Sequence, residues 1–366
     1  MGRTEQAAGQ QGATLLVAAG GTGGHLFPGI AVADELRKRD PALRVLFVGT
    51  PRGLESRLVP LAGYPLELLE VLPLNGVGAR NALRGLAALP GALLRASALV
   101  RHERPTAVLG VGGYAGGPLV LVAALMGVRT VILEPNARPG FTNRILRPFV
   151  SRAACAYEPA RLAFGSKGVL TGNPVRGAFA AIGRQARPEG GPSRLLIFGG
   201  SQGSRVLNRA VLEALPRLPG SLRIVHQTGP QMLAEVRAAY ERAGRADEVE
   251  PFLDDMPRRF AEADLLLCRS GATTCAELSV AGKPAVLVPF AQAADDHQRV
   301  NALALQAAGA ALVLEERQLG GDALARALGQ LVQDPPRLAA MAEASRKLGQ
   351  PDAAARVADL LELVHV

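Results

Sequence analysis

Residues 14–25 read TLLVAAGGTGGH: an apolar run, a loop with four glycines, and then His25, which opens an amphipathic stretch continuing to Arg39. An apolar run, a glycine-rich turn and a helix is how an α/β sheet brings backbone N–H groups to a phosphate at a helix N-terminus. The device recurs 180 residues later in residues 194–205, RLLIFGGSQGSR, where Leu195, Leu196, Gly200 and Gly203 stand in register with Leu15, Leu16, Gly20 and Gly23. One copy would open any α/β domain. Two copies predict two halves of one fold, facing each other.

At 366 residues the chain is long enough for two domains with a core each. Charged residues at 20% and apolar residues at 48% describe a soluble globular enzyme. The formal net charge of +9, carried almost entirely by arginine, favours an anionic partner: a nucleotide, a nucleic acid or a membrane surface. Cys155, Cys268 and Cys275 have neither a zinc-type spacing nor an even count for disulfides, and read as reduced core residues. Residues 1–13 read as a disordered leader without the apolar core of a signal peptide, and no stretch reaches the length of a membrane span. The expectation is a cytoplasmic protein whose membrane contact is peripheral.

Along the first half, residues 44–50 form a second buried strand that ends in Gly49-Thr50-Pro51 rather than in the acidic residue a dinucleotide site needs. Leu26 also stands where the third glycine of that fingerprint belongs, and no GxxxxGK[ST] loop occurs. Neither a nicotinamide enzyme nor a P-loop ATPase is indicated. Residues 80–101 mix leucines at near-helical spacing with Arg80, Arg84, Arg95 and Arg101; Leu83, Leu86 and Leu93 share a face if Pro90-Gly91 does not break the phase. Such a helix either packs its leucines on the sheet or rests on anionic lipid. Residues 106–118 and 128–137 are strands running into Tyr114 and into Glu134-Pro135-Asn136. Polar groups at strand carboxyl ends line the ligand crevice, so Tyr114 and Asn136 are site candidates; turn formation is the other reading of Asn136. Residues 153–171 finish the first sheet, Gly172-Asn173-Pro174 is then a plausible hinge, and residues 183–193 read as loop or linker.

In the second half, strands at 194–198, 222–228, 264–268, 284–289 and 310–314 alternate with helix-length segments, which predicts a parallel doubly wound sheet. Residues 264–284 are the informative piece: a buried strand ends at Cys268, Arg269-Ser270-Gly271 turns, and a helix begins near Ala272 whose free N–H groups suit a diphosphate. Glu277, about one turn inside, can accept from both hydroxyls of a ribose or simply complement the helix dipole. Asp295, Asp296, His297 and Gln298 lie between a strand and a helix, as sugar-hydroxyl binders or a polar cap.

GGTGGHLFPGIAVADEL, GGYAGGP, TGNPVR, GGSQGSRVLN, CRSGATTCAEL and DDHQRVNA, in this order and spacing, resemble the MurG family from about residue 14 to the end. The resemblance implies the GT-B fold: α/β, two Rossmann-like doubly wound domains with the active site in the cleft between them. It implies inverting transfer of N-acetylglucosamine from UDP-N-acetylglucosamine to the 4-hydroxyl of the N-acetylmuramoyl unit on an undecaprenyl diphosphate carrier (lipid I to lipid II, in peptidoglycan synthesis). Matched motif by motif, it puts Thr22, Gly23 and Gly24 at the donor–acceptor cleft and Asn136 near the donor sugar. Arg176 and Ser201 go with the nucleotide diphosphate, Leu253 with uracil through its backbone, Glu277 with the ribose and Gln298 with sugar hydroxyls; Gln202, Ala272 and Thr273 are further substrate-binding positions. His25 matches the histidine proposed as general base. The implied domains are 14–172 for the acceptor and membrane, and 173–349 for the UDP-sugar, with a last helix at 350–366 packing back on the first. The implied partners are the anionic inner-membrane surface, which it would meet from the cytoplasmic side, and other cell-wall synthesis proteins; nucleic acid is not among them. Where the family often has His-Glu-Gln-Asn this chain has Leu133-Glu134-Pro135-Asn136, and His297 replaces a glutamine found in some relatives.

The chemistry agrees from below. An inverting transfer needs a base for the attacking hydroxyl and a stabiliser for the departing diphosphate. Helix N-termini and Arg176 can supply the second without a metal or cofactor, and no Asp-x-Asp motif is present to hold one. Paired hydrolytic carboxylates are not visible, which disfavours a glycosidase. Two rival readings remain open on the residues alone: a UDP-sugar epimerase, which would need no lipid acceptor, and a nucleic-acid binder, which would lack stacking platforms with aromatics at 4% and no Trp.

Overall fold

The computed structural model describes residues 13–20, 23–51, 53–71, 78–113, 116–182, 193–293 and 296–362, without the side chains of 78–83 and 362. Thr22, Tyr114, Asp295, most of the 1–13 leader and nearly all of the 183–193 linker lie outside the described residues.

In the first half, β1 (Thr14–Ala18), α1 (Gly23–Arg39), β2 (Arg44–Gly49), α2 (Glu55–Leu61), β3 (Leu66–Leu68), α3 (Gly78–Glu103), β4 (Ala107–Gly110), α4 (Gly116–Leu125), β5 (Arg129–Glu134), α5 (Phe141–Leu146), β6 (Arg152–Cys155), α6 (Glu158–Phe164) and β7 (Gly168–Leu170) build a parallel sheet of order β3-β2-β1-β4-β5-β6-β7. After α7 (Gly177–Ile182), the second half runs β8 (Arg194–Phe198), α8 (Arg205–Ala214), β9 (Arg223–Gln227), α9 (Leu233–Arg242), β10 (Glu248–Glu250), α10 (Met256–Glu262), β11 (Leu265–Cys268), α11 (Ala272–Ala281), β12 (Ala285–Leu287), α12 (His297–Ala307) and β13 (Ala311–Val313). Its sheet order is β10-β9-β8-β11-β12-β13. Both are doubly wound, as the repeated strand, loop and helix predict. In each sheet the first strand is flanked on both sides, and every residue of β1 is buried, which is why it reads as an unbroken apolar run. Each strand order reverses beside that strand, so both glycine loops leave from a switch point, where such sheets form their ligand crevice.

β7 falls within residues 153–171, read as the end of the first sheet, but two strands escaped the sequence reading: β3 and β10. Each is three residues long at or near a sheet edge, and the charged Glu248 and Glu250 leave β10 no apolar run to detect.

The helices after α12 are α13 (Gly321–Val332), α14 (Pro335–Leu348) and α15 (Ala353–Glu362). Val357, Ala358, Leu360 and Leu361 of α15 join the core of the first half beside Leu36 and Ala33 of α1. Arg39 adds a 2.6 Å ion pair to Asp359, and Arg129 donates to the Leu360 carbonyl at 3.0 Å. Burial of a Leu or Val is worth roughly 1.5–3 kcal/mol, so this helix holds the chain's end on the first domain. The chain therefore passes between the domains twice, near 172–174 and near 349–351.

The leucine face expected on α3 needs correcting. Pro90-Gly91 does not interrupt the helix, but its buried stripe is Ala92, Ala96 and Val100. Leu93 is half-buried, whereas Leu86 and Leu94 are 62% and 72% exposed; the side chain of Leu83 is not described. Small residues let α3 lie close against α4, and two of its leucines turn outward. On the same layer α4 and α5 leave Leu125, Phe141 and Ile145 exposed, with Arg138 and Arg144 beside α5.

Candidate active site

The first glycine loop is shaped by the loop after β4. Gly112 has φ +98°, and a Cβ there would stand 2.6 Å from Cδ2 of His25, so the imidazole lies directly against glycine backbone. Only glycine serves at such a place, since both the torsion and the space forbid a side chain. Gly203, φ +74°, repeats this in the second half, where a Cβ would collide with the Thr228 carbonyl. His25 is held below the ordinary imidazole range, first by burial and then by repulsion from His297 of the other domain. The neutral imidazole that results at pH 7 is the form a general base requires.

Between the sheets runs a cleft of about 1590 Å³. Pockets for one small ligand occupy about 300–1,000 Å³, so this cleft has room for two substrates at once. Gly23, Gly24, Arg176, Ser201, Gln202, Leu253, Thr273, Glu277 and Gln298 line it. His25 and Asn136 stand outside that lining, and Ala272 faces instead a cavity of about 200 Å³ lined also by Gly172, Asn173 and Gln350. The geometry thus gathers most of the expected residues in one cleft lining, with His25, Asn136 and Ala272 outside it.

Glu277 is buried, and burial pushes its carboxyl up to about 7 while the Arg176 guanidinium, 3.4 Å away, works in the opposite direction. Arg176 lies over the rings of Phe27 and Phe179, at 4.0 and 5.0 Å to their centroids, and its buried Nε has no hydrogen-bond partner. The Leu253 N–H donates to Oε1 of Gln227 at 3.2 Å, and Nε2 of Gln227 donates to the Gly200 carbonyl at 2.8 Å. Gln227 therefore ties the loop after β10 to the loop after β8. In Gln298, Oε1 accepts from the Phe290 N–H, and the backbone carbonyl accepts from the Ser270 hydroxyl. Its amide nitrogen is the part of the side chain left to donate.

Asn136 donates from its backbone N and from Nδ2 to Oε1 of buried Glu134, whose Oε2 accepts from Gly140 N and Asn143 Nδ2. Burial raises the Glu134 carboxyl, and these four donors oppose it. Asn136 is thus part of a fixed turn at the end of β5, the turn-forming reading of its sequence position. Asp254 pairs with Arg57 at 2.9 Å across the domains, and Asp255 pairs with Arg258 and Arg259. Among the described residues no group of His, Cys, Asp or Glu is arranged to hold a metal ion.

The sequence reading did not single out Phe27, Arg57 or Gln227, nor give Arg269 a role. Gln227 ends a buried strand, so the rule that led to Asn136 could have found it. Arg269 donates to Ser204, the capping residue of α8, and pairs with Glu316. Its role, like those of Phe27 and Arg57, depends on partners far along the chain.

Residues 15–155 match the glycosyltransferase family 28 N-terminal domain, and residues 194–357 match its C-terminal domain. A protein of Anaeromyxobacter sp. (strain Fw109-5), named UDP-N-acetylglucosamine--N-acetylmuramyl-(pentapeptide) pyrophosphoryl-undecaprenol N-acetylglucosamine transferase, is 47% identical over 96% of this chain and 93% of its own. The chain belongs to the MurG family. The transferase of the same name from Myxococcus xanthus (strain DK1622) is also 47% identical, over 94% of this chain and 91% of its own. Crystalline MurG of Acinetobacter baumannii superimposes with a TM-score of 0.75 at 32% identity, covering 96% of this chain and 99% of that one. The UDP-GlcNAc 2-epimerase of Neisseria meningitidis shares the fold alone, with a TM-score of 0.67 at 16% identity over 95% of this chain and 99% of its own. The protein is a glycosyltransferase of the GT-B fold, and the epimerase reading falls with the family assignment.

Proposed function

We infer that the protein transfers N-acetylglucosamine from UDP-N-acetylglucosamine to the 4-hydroxyl of undecaprenyl-diphospho-N-acetylmuramoyl-peptide, the lipid I to lipid II step of peptidoglycan synthesis. The observation that carries this reading is the 47% identity to transferases of that name along 96% of the chain, which takes in both walls of the cleft. In this reading residues 14–172 hold the acceptor, 173–349 hold the donor, and the tail from 350 returns to the first domain.

His25 takes the proton of the acceptor hydroxyl as its oxygen attacks the anomeric carbon from the face opposite UDP. The bond from that carbon to the diphosphate oxygen breaks, the configuration inverts, and UDP leaves with the electron pair. Arg176, with Ser201, Gln202 and the N–H groups at the start of α11, neutralises the charge that grows on the diphosphate. Glu277 accepts from the ribose hydroxyls, Leu253 meets uracil through its backbone carbonyl, and Gln298 donates to the sugar. Asn136 faces the donor sugar from its Glu134-bound turn, while Thr22, Gly23 and Gly24 close the cleft around the acceptor; Ala272 contributes through its place in the α11 N-terminus.

The acceptor's lipid tail requires contact with a membrane, and among the described residues no helix is long and apolar enough to cross one. Docking at the cytoplasmic face, through the outward leucines of α3 and the Phe141, Ile145 and arginine cluster at α5, fits this need. There the product is available to cell-wall synthesis proteins, and so to growth, shape and division. The deciding experiment supplies labelled UDP-N-acetylglucosamine and a short-chain lipid I analogue. Labelled disaccharide product, with UDP released only when acceptor is present, is expected. Acceptor-independent conversion of the donor would overturn the reading.

A further inference from the structure

Arg176 sits just after Gly172-Asn173-Pro174, where the chain first passes between the domains. Three groups hold it. Glu277 takes Nη2 at 3.4 Å, and fully buried Phe179 lies 5.0 Å from the guanidinium carbon; both belong to the second domain. The third, and the nearer of the two rings, is Phe27, at 4.0 Å to the ring centroid, which belongs to the first. Phe27 stands two residues after His25 on α1, its ring resting on Gly23, where an added Cβ would come within 3.0 Å. This leaves Nε of Arg176 buried and without a partner, a donor whose natural complement is an anion.

We propose that Phe27 is a positioning residue for Arg176: its ring, carried by the acceptor-side domain, fixes the guanidinium against the leaving diphosphate when the cleft is closed. The proposal rests on the transferase reading given above. An aromatic ring suits the task because its negative face attracts the cation while excluding water from it. A leucine would fill similar space without that attraction. Because Phe27 and His25 share the first turns of α1, one movement of this helix sets both the base and the leaving-group arginine. Opening the cleft parts Phe27 from Arg176, and Glu277 with Phe179 retains the arginine on the donor side.

The test is kinetic and uses the full chain. Phe27→Leu is expected to lower kcat roughly tenfold, within the range of a desolvated cation–aromatic contact, with UDP affinity in the absence of acceptor changed less than about threefold. Phe27→Tyr should restore kcat, and in an Arg176→Met background, which lacks the cation, Phe27→Leu should have little further effect. Should Phe27→Leu fold poorly, Phe27→Met against Phe27→Tyr makes the same comparison. Unchanged kcat, equal losses in both backgrounds, or a fall in UDP affinity that matches the fall in kcat would each overturn the proposal. Absence of transfer by the unaltered enzyme would instead defeat the function on which it rests.

Discussion

The hydroxyl of Thr273, in the first turn of α11, donates a 2.6 Å hydrogen bond to the carbonyl of Gly24 at the start of α1, 249 residues away. The reason lies in Pro28. In a helix the Gly24 carbonyl would accept from the N–H of residue 28, but proline has none, so that carbonyl is left for a donor from outside. The other domain provides it. Two helix N-termini that line the cleft from different domains are thereby linked side by side.

Removing this link should cost function before it costs stability. Thr273→Val leaves the Gly24 carbonyl without its donor, a loss of about 1–2 kcal/mol, and turnover is expected to drop roughly tenfold with a melting temperature close to that of the unaltered protein. Thr273→Ser should retain activity. Pro28→Ala gives α1 its own donor for Gly24, and is expected to raise the melting temperature while slowing transfer. Steady-state kinetics and thermal melts of the three variants check this; unimpaired turnover in Thr273→Val would show that the contact is incidental.

His25→Ala should lower turnover about 100-fold or more and leave UDP-sugar affinity nearly unchanged, because a base acts in the transition state and not in donor binding. Its pH signature follows from the lowered pKa. A base held below 6.5 stays deprotonated further into acid, so the plateau of kcat/KM should extend below pH 6.5 before it falls. His297→Gln removes the repelling partner, and should shift the acid limb upward, toward the ordinary histidine value. A pH–rate profile that ignores both substitutions would end the role of His25.

Glu277→Ala should cost about 2–3 kcal/mol of donor binding, the worth of hydrogen bonds to a charged group. With a folded-state pKa near 7, above the ordinary 4.5, Glu277 stabilises the ligand-free protein below pH 4.5, and this contribution is lost as pH rises through 7. The ribose hydroxyls donate to the carboxylate and favour its charged form. Donor affinity is therefore expected to increase from pH 6 to pH 8, in the opposite sense to the stability. Titration of UDP and 2′-deoxy-UDP across that range measures it. Should the variant discriminate the two as sharply as the unaltered protein, Glu277 is a helix-dipole residue only.

Arg80, Arg84 and Arg95 changed together to Glu should weaken binding to anionic vesicles and slow turnover on a long-chain acceptor in membranes, at about 1 kcal/mol per arginine removed. Arg95 now pairs with Glu70 at 2.8 Å, so its reversal adds a local repulsion as well. Activity on a short-chain, water-soluble acceptor should stay near the starting level, since the cleft is untouched. Vesicle binding that survives the triple change would place docking on the neighbouring α5 arginines, Arg138, Arg144 and Arg147. Equal loss on both acceptors would mean damage to the fold or a direct substrate role.

The sequence by itself determined the two-domain α/β architecture and the position of each glycine loop, because strand, turn and helix signals are local. A run such as residues 14–18 is apolar throughout only when both sheet faces are covered, and Gly112 or Gly203 answers to a torsion that other residues rarely adopt. Motif spacing likewise marked most of the cleft residues one by one. Only the tertiary structure decided which of them meet. That Thr273 finds Gly24, that Phe27 covers Arg176 and that Gln227 joins two loops depends on contacts between distant segments, which leave no periodicity within any one of them. The outward turn of Leu86 and Leu94 was settled in the same way: helical spacing defines a face, but it is the close packing of α3 on α4, with small Ala92 and Ala96 turned inward, that chose which face is buried.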